Sequence, residues 1–464
     1  MIDRLASGSD GLDTALCGGL PLNSITLVVG SPGTGKTILA QQYLFHNASV
    51  DRPALYLSTV SEPLEKILRY GQSLDYFDSS ALGSAVFYED IGQTLNNSGL
   101  PGVLEHITEL IKQRRPGLMV IDSFRALQVY ASDTGAFRRF LHGLAGRLSA
   151  MPINSFWVGE YESAEVSDAP EFAVADAIVA LSTDRTAERE LRVLQVVKLR
   201  GSGFQPGKHT YRLSQRGITV FPRLADSSDA SSYGQMSERV SSGVAPLDTM
   251  LSDGLWRGSS TMIAGPSGVG KTLLALHFAF AGVQRGEVSL IATLQENPIQ
   301  LERILRSFSW SLQDAGIELM YRSPVDLYLD EWVYDLLDRL KQTGATRLVI
   351  DSLGELRSAC TDELRFREFI YSLLQRCTRE NISVTMTQEV PDLFGIGRLS
   401  EIGTSHLSDN VIVLQFLHDE SKVKRAITVL KTRGSDHDQH VRQFDITSEG
   451  VVFGGQFASS QDLR

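Results

Sequence analysis

The sequence predicts an α/β fold written twice: two tandem domains, each a mostly parallel twisted sheet flanked by helices. Three observations carry this reading. A stretch starting at Ser7 reappears from Ser242 without a gap, so Gly30 and Gly265, Asp13 and Asp248, and Lys36 and Lys271 each fall 235 residues apart. Both halves alternate short apolar runs with longer amphipathic stretches, the pattern of parallel strands covered on both faces by helices. Both halves also carry the pattern GxxxxGK[ST] directly after a predicted strand and at the start of a predicted helix.

The predicted strands of the first half are "SITLVVG", "ALYLST", "LMVIDS", "SFWVGEY", "DAIVALS" and "LRVLQVVKL". Those of the second are "STMIAG", "SLIATL", "RLVIDS", "SVTMTQE", "DNVIVLQ" and "AITVLKT". The last runs of each half are closely spaced, which allows antiparallel pairing at one edge. "LEKILRY" and "LERILRSFSW" have amphipathic helical spacing and read as core-packing helices. Each half exceeds 200 residues, too long for a solenoid repeat, so the repeat is a duplicated domain. Residues 222–243 are rich in Ser and Asp and lack apolar periodicity, which predicts an exposed linker. The predicted domains are residues 1–235 and 236–464.

Composition narrows the class. Of 464 residues, 42% are hydrophobic and 21% charged, ordinary values for a globular chain. No apolar run reaches the ~18 residues that span a bilayer, and "MIDRLASGSDGLD" lacks the apolar core of a signal peptide. The expectation is a cytoplasmic protein without membrane partners. Cys17, Cys360 and Cys377 lie far apart and form no CxxC pair, so they read as reduced thiols, not a disulfide framework or zinc site. Lys and Arg number 44 against 55 Asp and Glu, a net charge of −11 that argues against broad capture of nucleic acid.

Two stretches have the chemistry of phosphate cradles. The first comprises Gly30, Ser31, Pro32, Gly33, Thr34, Gly35, Lys36 and Thr37. The second comprises Gly265, Pro266, Ser267, Gly268, Val269, Gly270, Lys271 and Thr272. Glycines let backbone N–H groups converge on phosphate oxygens, and the helix N-terminus adds positive potential. Lys36 and Lys271 would neutralise the β- and γ-phosphates of ATP, and the hydroxyls of Thr37 and Thr272 would hold Mg²⁺. Asp122 and Asp351 close apolar strands and would complete the magnesium shell, directly or through water.

These pieces resemble the RecA-like P-loop ATPases and, more closely, the KaiC family. The resemblance spans nearly the whole chain. It rests on the duplicated lead-in "GLD" and "PLD", both phosphate loops, both "VIDS" strands, and "KLRG" and "KTRG". It implies two tandem RecA-like P-loop NTPase domains, a double-ringed homo-hexamer and nucleotide at subunit interfaces. It also implies that Lys198 and Arg200, and likewise Lys431 and Arg433, reach the nucleotide of a neighbouring subunit. On the residues alone, these pairs read equally well as basic groups at solvated strand ends.

The family places two adjacent glutamates on the strand after the first helix, before a Pro, the first of which orients water. Here Val60 and Ser61 hold those positions, with Glu62 next, and Gln295 and Glu296 hold them in the second half. Val60 cannot align water, whereas Gln295 can by hydrogen bonding. Hydrolysis is therefore expected to be slow, and faster in the second domain. Glu62 or Glu160 could substitute in the first, although Glu62 also reads as a helix-start carboxylate before Pro63. The resemblance further implies a Ser/Thr autokinase site. Ser405 falls on the family serine, but His406 replaces the threonine. Hydroxyls capping a turn before a strand are the plainer reading of that segment. "GSDHDQH" reads as a polar loop and not a metal cluster. The main expectation is a nucleotide-dependent switch that signals to an unidentified protein partner. A RecA-type DNA recombination or repair ATPase and a low-turnover ATP-binding scaffold are the alternatives.

Overall fold

The computed structural model describes residues 3–59, 64–161, 169–186, 189–225, 238–325, 327–360, 362–390, 407–419 and 422–456. The chain divides into two compact units, Met1–Arg223 and Leu224–Arg464. Glu62, with Val60 and Ser61, lies outside the described residues, as does Ser405.

The first unit is built on a nine-stranded sheet. In chain order its strands are β1 (Ile25–Gly30), β2 (Ala54–Ser58), β3 (Val86–Asp90), β4 (Leu118–Asp122), β5 (Asn154–Gly159), β6 (Ala177–Thr186), β7 (Arg189–Leu199), β8 (Lys208–Ser214) and β9 (Gly217–Phe221). The second unit repeats them as β10 (Ser260–Gly265), β11 (Ser289–Thr293), β12 (Ile317–Tyr321), β13 (Arg347–Asp351), β14 (Ser383–Glu389), β15 (Asn410–Asp419), β16 (Lys422–Thr432), β17 (Arg442–Thr447) and β18 (Gly450–Gln456). The order across the first sheet is β3-β2-β4-β5-β1-β6-β7-β8-β9, and across the second β12-β11-β13-β14-β10-β15-β16-β17-β18. The two orders are identical element for element. In both, the strands from the β3 or β12 edge through β6 or β15 pair in parallel. The last three of each unit are added antiparallel at the other edge. This is the α/β arrangement that the sequence predicts.

The continuous apolar runs are explained by burial on two faces. Leu27 and Val29 of β1 join Leu55, Leu57, Met119 and Ile121 in one core. Val28 joins Tyr56, Val120 and Val158 in the core on the opposite face. The second unit is likewise covered on both sides. The strands that the apolar runs do not reveal are β3, β8 and β9, and their counterparts β12, β17 and β18. They lie at or next to the sheet edges, where one face stays wet and polar residues interrupt the run, as in "VFYED" and "IELMY".

Each sheet is centred on β1 or β10, and the helix after it carries the phosphate loop's last residues. These helices are α1 (Lys36–Asn47) and α2 (Lys271–Val283). The amphipathic segments form helices Leu64–Gly71 and Pro298–Arg306, with Ile67, and Leu301 and Leu305, buried.

One fastening differs between the units. Gln42 on α1 bonds both backbone groups of Ile218, accepting from its N–H at 2.8 Å and donating to its carbonyl at 3.2 Å. The matching position on α2 is His277, whose Nε2 accepts from the Val451 N–H at 3.1 Å. Burial pushes the His277 imidazole down to about 4, because the charged ring would lose its hydration. In the unfolded chain the same group titrates near 6.5. Between these values the unfolded state binds the extra proton, so stability rises with pH. The contribution is full above about 6.5 and disappears as pH falls through the window toward about 4, a difference on the order of 3 kcal/mol. Equilibrium unfolding followed by tryptophan fluorescence will show the second unit losing stability across this window. His277→Gln, which installs the first unit's residue, will flatten that dependence. A second-unit transition equally steep in both proteins would refute the assignment.

Candidate functional site

Each candidate site begins where the central strand runs out. β1 and β10 are buried on both faces, and each ends in a glycine pressed against a neighbouring strand. A Cβ on Gly30 would stand 2.1 Å from the Leu181 carbonyl oxygen, and one on Gly265 would stand 2.4 Å from that of Leu414. No side chain fits there, so the loop can turn directly off the strand. The loop then enters its helix through Gly35 or Gly270, with φ of 90° and 115°, a left-handed conformation.

The loops are held by their own carbonyls. Lys36 Nζ donates to Ser31 O at 2.8 Å, and Lys271 Nζ donates to Pro266 O at 2.8 Å. Thr34 Oγ1 also donates to Ser31 O at 2.8 Å. In the first unit, Tyr211 of β8 donates to Thr34 O at 2.6 Å and Arg192 of β7 to Gly33 O at 2.8 Å. The antiparallel extension of the sheet thus braces the loop from the side. Ser31, Pro32, Gly33, Ser267, Gly268 and Val269 complete the two turns between strand and helix. Burial lowers the proton affinity of both lysines, while nearby carboxylates raise it.

Beside each cradle a hydroxyl meets a carboxylate. Thr37 Oγ1 donates to Asp122 Oδ2 at 2.7 Å, and Thr272 Oγ1 donates to Asp351 Oδ2 at 2.9 Å. The second donor differs. Asp122 accepts from Tyr56 OH at 2.8 Å, whereas Asp351 accepts from Thr387 Oγ1. Asp351 is 3% exposed, and burial raises its carboxyl above the usual range against the pull of these donors. A hydroxyl and a carboxylate at the edge of an anion cradle form the hard oxygen set that suits Mg²⁺. The residues present therefore fit a magnesium–triphosphate group. In the first unit the loop opens onto a cleft of about 670 Å³, bordered by Lys36, Thr37, Asp122, Glu160, Tyr70 and Leu74.

The acid positions fall differently. Gln295 is exposed and Glu296 partly buried, just beyond β11. The Glu296 N–H donates to Thr293 Oγ1 at 3.2 Å, closing a small turn. The acids that act on the loop lysines come from another strand. Glu160, just beyond β5, places Oε1 3.9 Å from Lys36 Nζ. The charges that support the Lys271 ammonium are Glu389, at the end of β14, and Asp351. Glu389 and the two partner residues Tyr56 and Thr387 are not among the candidates that sequence reading yields. Aligning "FWVGEY" with "VTMTQEV" through the repeat would have paired Glu389 with Glu160.

The K-x-R-G residues stand at the far end of the sheet from their own phosphate loop. Lys198 Nζ donates to Phe172 O at 2.9 Å, and Arg200 pairs with Asp176 at 3.4 Å. Asp176 in turn accepts from the Ile25 N–H at 3.0 Å, at the start of β1. Five residues of strand separate Ile25 from Gly30, roughly 17 Å. In the second unit, Lys431 Nζ donates to Ser408 O at 2.7 Å and Arg433 pairs with Asp409 at 3.7 Å. Asp409 accepts from the Ser260 N–H at 2.9 Å. Burial lowers the proton affinity of both lysines.

The histidine-bearing loop closes on itself. His440 and Arg442 both reach Asp438, and His437 Nδ1 lies 3.2 Å from the Thr432 hydroxyl. Among the described residues no group of three or more His, Cys, Asp or Glu could hold a metal ion. Among them, too, no helix is long and apolar enough to cross a membrane.

Comparison with known proteins agrees with this geometry. The family described as "ATPase: KaiC" matches residues 5–225 and again 240–456. The circadian clock oscillator protein KaiC of a Picosynechococcus species is 28% identical over 484 residues, covering 100% of this chain and 92% of its own. That of Rippkaea orientalis is 28% identical over 483 residues, with 100% and 91% covered. The circadian clock protein KaiC3 of a Synechocystis species is 28% identical over 476 residues, with 98% and 92% covered. Two matched domains, two phosphate cradles and one repeated strand order make this an ATP-binding protein with two RecA-like ATPase domains, and the chain belongs to the KaiC family.

Proposed function

We propose that this protein is a slow ATPase that works as a nucleotide-dependent hexameric switch, with each ATP held between two copies of the chain. One observation carries the reading. Both K-x-R-G pairs sit about one strand length from the phosphate loop of their own unit. A neighbouring copy in a ring would bring its Lys198 and Arg200, or Lys431 and Arg433, to that loop. There the Arg fork would stabilise charge on the transferring phosphoryl group, and the loop lysine would hold the β- and γ-phosphates. Thr37 with Asp122, and Thr272 with Asp351, would hold Mg²⁺, which neutralises phosphate charge when bound.

Turnover would be faster in the second unit, where Gln295 can orient water and Glu296 adjoins it. Bound ATP stabilises the assembly that binds it, so nucleotide state would set ring stability and be read by a protein partner. A cytoplasmic location suits such a role. Ser405 is the residue proposed to accept phosphate in an autokinase step. An intact mass unchanged after incubation with Mg-ATP would remove that step.

Sharing of sites is testable by complementation. One chain carries Lys36→Ala and Lys271→Ala, the other Arg200→Ala and Arg433→Ala. Each alone should release phosphate at least about 10³-fold more slowly than the parent. Mixed before assembly, they should recover a measurable fraction of parental turnover, because some interfaces then pair an intact loop with an intact K-x-R-G. No recovery from mixed assemblies would mean that each site is completed within one copy. Separately, native mass spectrometry should show hexamers with ATP and smaller species without nucleotide. A monomer under every condition would defeat the ring.

A further inference from the structure

The departure at Val60 and Gln295 leaves a question of chemistry: which carboxylate faces the attacking water? We infer that Glu160 and Glu389 orient it, one in each unit. The inference deepens the ATPase reading above and rests on it.

Three observations converge. The first is register. Val29 of β1 pairs with Gly159, so Glu160 follows opposite Gly30, and Gly265 of β10 pairs directly with Glu389. The two acids therefore occupy the same place in both units, beside the first glycine of the phosphate loop. The second is electrostatic. Two carboxylates act on each loop lysine: Glu160 and Asp122 on Lys36, Glu389 and Asp351 on Lys271. In each pair, the aspartate accepts a hydrogen bond from the loop threonine, on the side suited to the metal. The glutamate is the one left for water. The third is accessibility. The Glu160 side chain is 58% exposed and borders the cleft, and its 3.9 Å approach to Lys36 is too long for a hydrogen bond. Its oxygens keep the capacity to accept from water.

In the step this implies, water attacks the γ-phosphorus while the bond to the β,γ-bridging oxygen breaks, and ADP departs with that electron pair. The proton lost by water passes to the Glu160 or Glu389 carboxylate, then to solvent. Gln295 and Glu296 would then account for a difference between the sites and not for turnover itself.

The test uses the full chain carrying Glu160→Gln, Glu389→Gln, or both. Glutamine keeps the shape and a hydrogen-bonding carbonyl but cannot take the proton. Thermal unfolding checks that each variant folds. The double variant should release phosphate from Mg-ATP at least about 10²-fold more slowly. Its affinity for a fluorescent ATP analogue should stay within about threefold of the parent's, as for a group acting on the chemical step. A folded double variant that turns over within twofold of the parent would overturn the assignment, as would a loss explained wholly by weaker nucleotide binding. If the parent itself releases no phosphate, the ATPase reading fails first, and this inference fails with it.

Discussion

A lysine ammonium drawn back from water organises each site, buried in the first unit and half-buried in the second. Lys36 is 7% exposed, and its burial already disfavours the charged form. A cation in that position needs anions or oriented dipoles around it. The loop supplies a carbonyl at 2.8 Å, and two strand ends supply carboxylates. The same demand is met in the second unit around Lys271. The cradle is thus suited to an anion, and the sheet order brings two acids to it: β5 pairs with β1 and is followed by Glu160, and β4 pairs with β5 and ends in Asp122.

The repeat shows which features the chemistry constrains and which it does not. Strand order, the glycine at the end of the central strand, the threonine–aspartate pair and the acid on the adjacent strand recur in both units. The supporting contacts have drifted. A tyrosine from β2 steadies Asp122, and a threonine from β14 steadies Asp351. A glutamine fastens the last hairpin to α1, and a histidine fastens it to α2. Any donor of the right reach satisfies a buried carboxylate or backbone group, so the partner can change while the contact persists. Only one of these exchanges, Gln42 to His277, introduces a group that titrates in an accessible range.

The K-x-R-G pairs illustrate how placement limits function. Each is anchored by an aspartate that also holds the start of the central strand, which keeps it at the opposite end from its own loop. A basic pair so far from its own phosphates is poorly sited to act on them within one unit. The proposed ring would give it a neighbouring copy's loop to act on.

Much of this was legible in the amino-acid sequence. The duplication, the interior strands, the two cradles and the terminal aspartates are local patterns. They depend on runs of a few residues whose periodicity and glycine spacing state their geometry directly. The edge strands were not legible, because their half-wet faces mix polar with apolar residues. Nor was the place of Glu389 opposite Gly265, or the separation of Arg200 and Arg433 from their own loops. Those depend on pairing between segments distant in the chain: β1 lies between β5 and β6, strands that begin well over one hundred residues later. By itself, the sequence determined that two phosphate-binding loops exist and which lysines they carry. Only the tertiary structure decided which acids face those lysines and which basic residues do not, because register between strands, not order along the chain, sets what stands beside the loop.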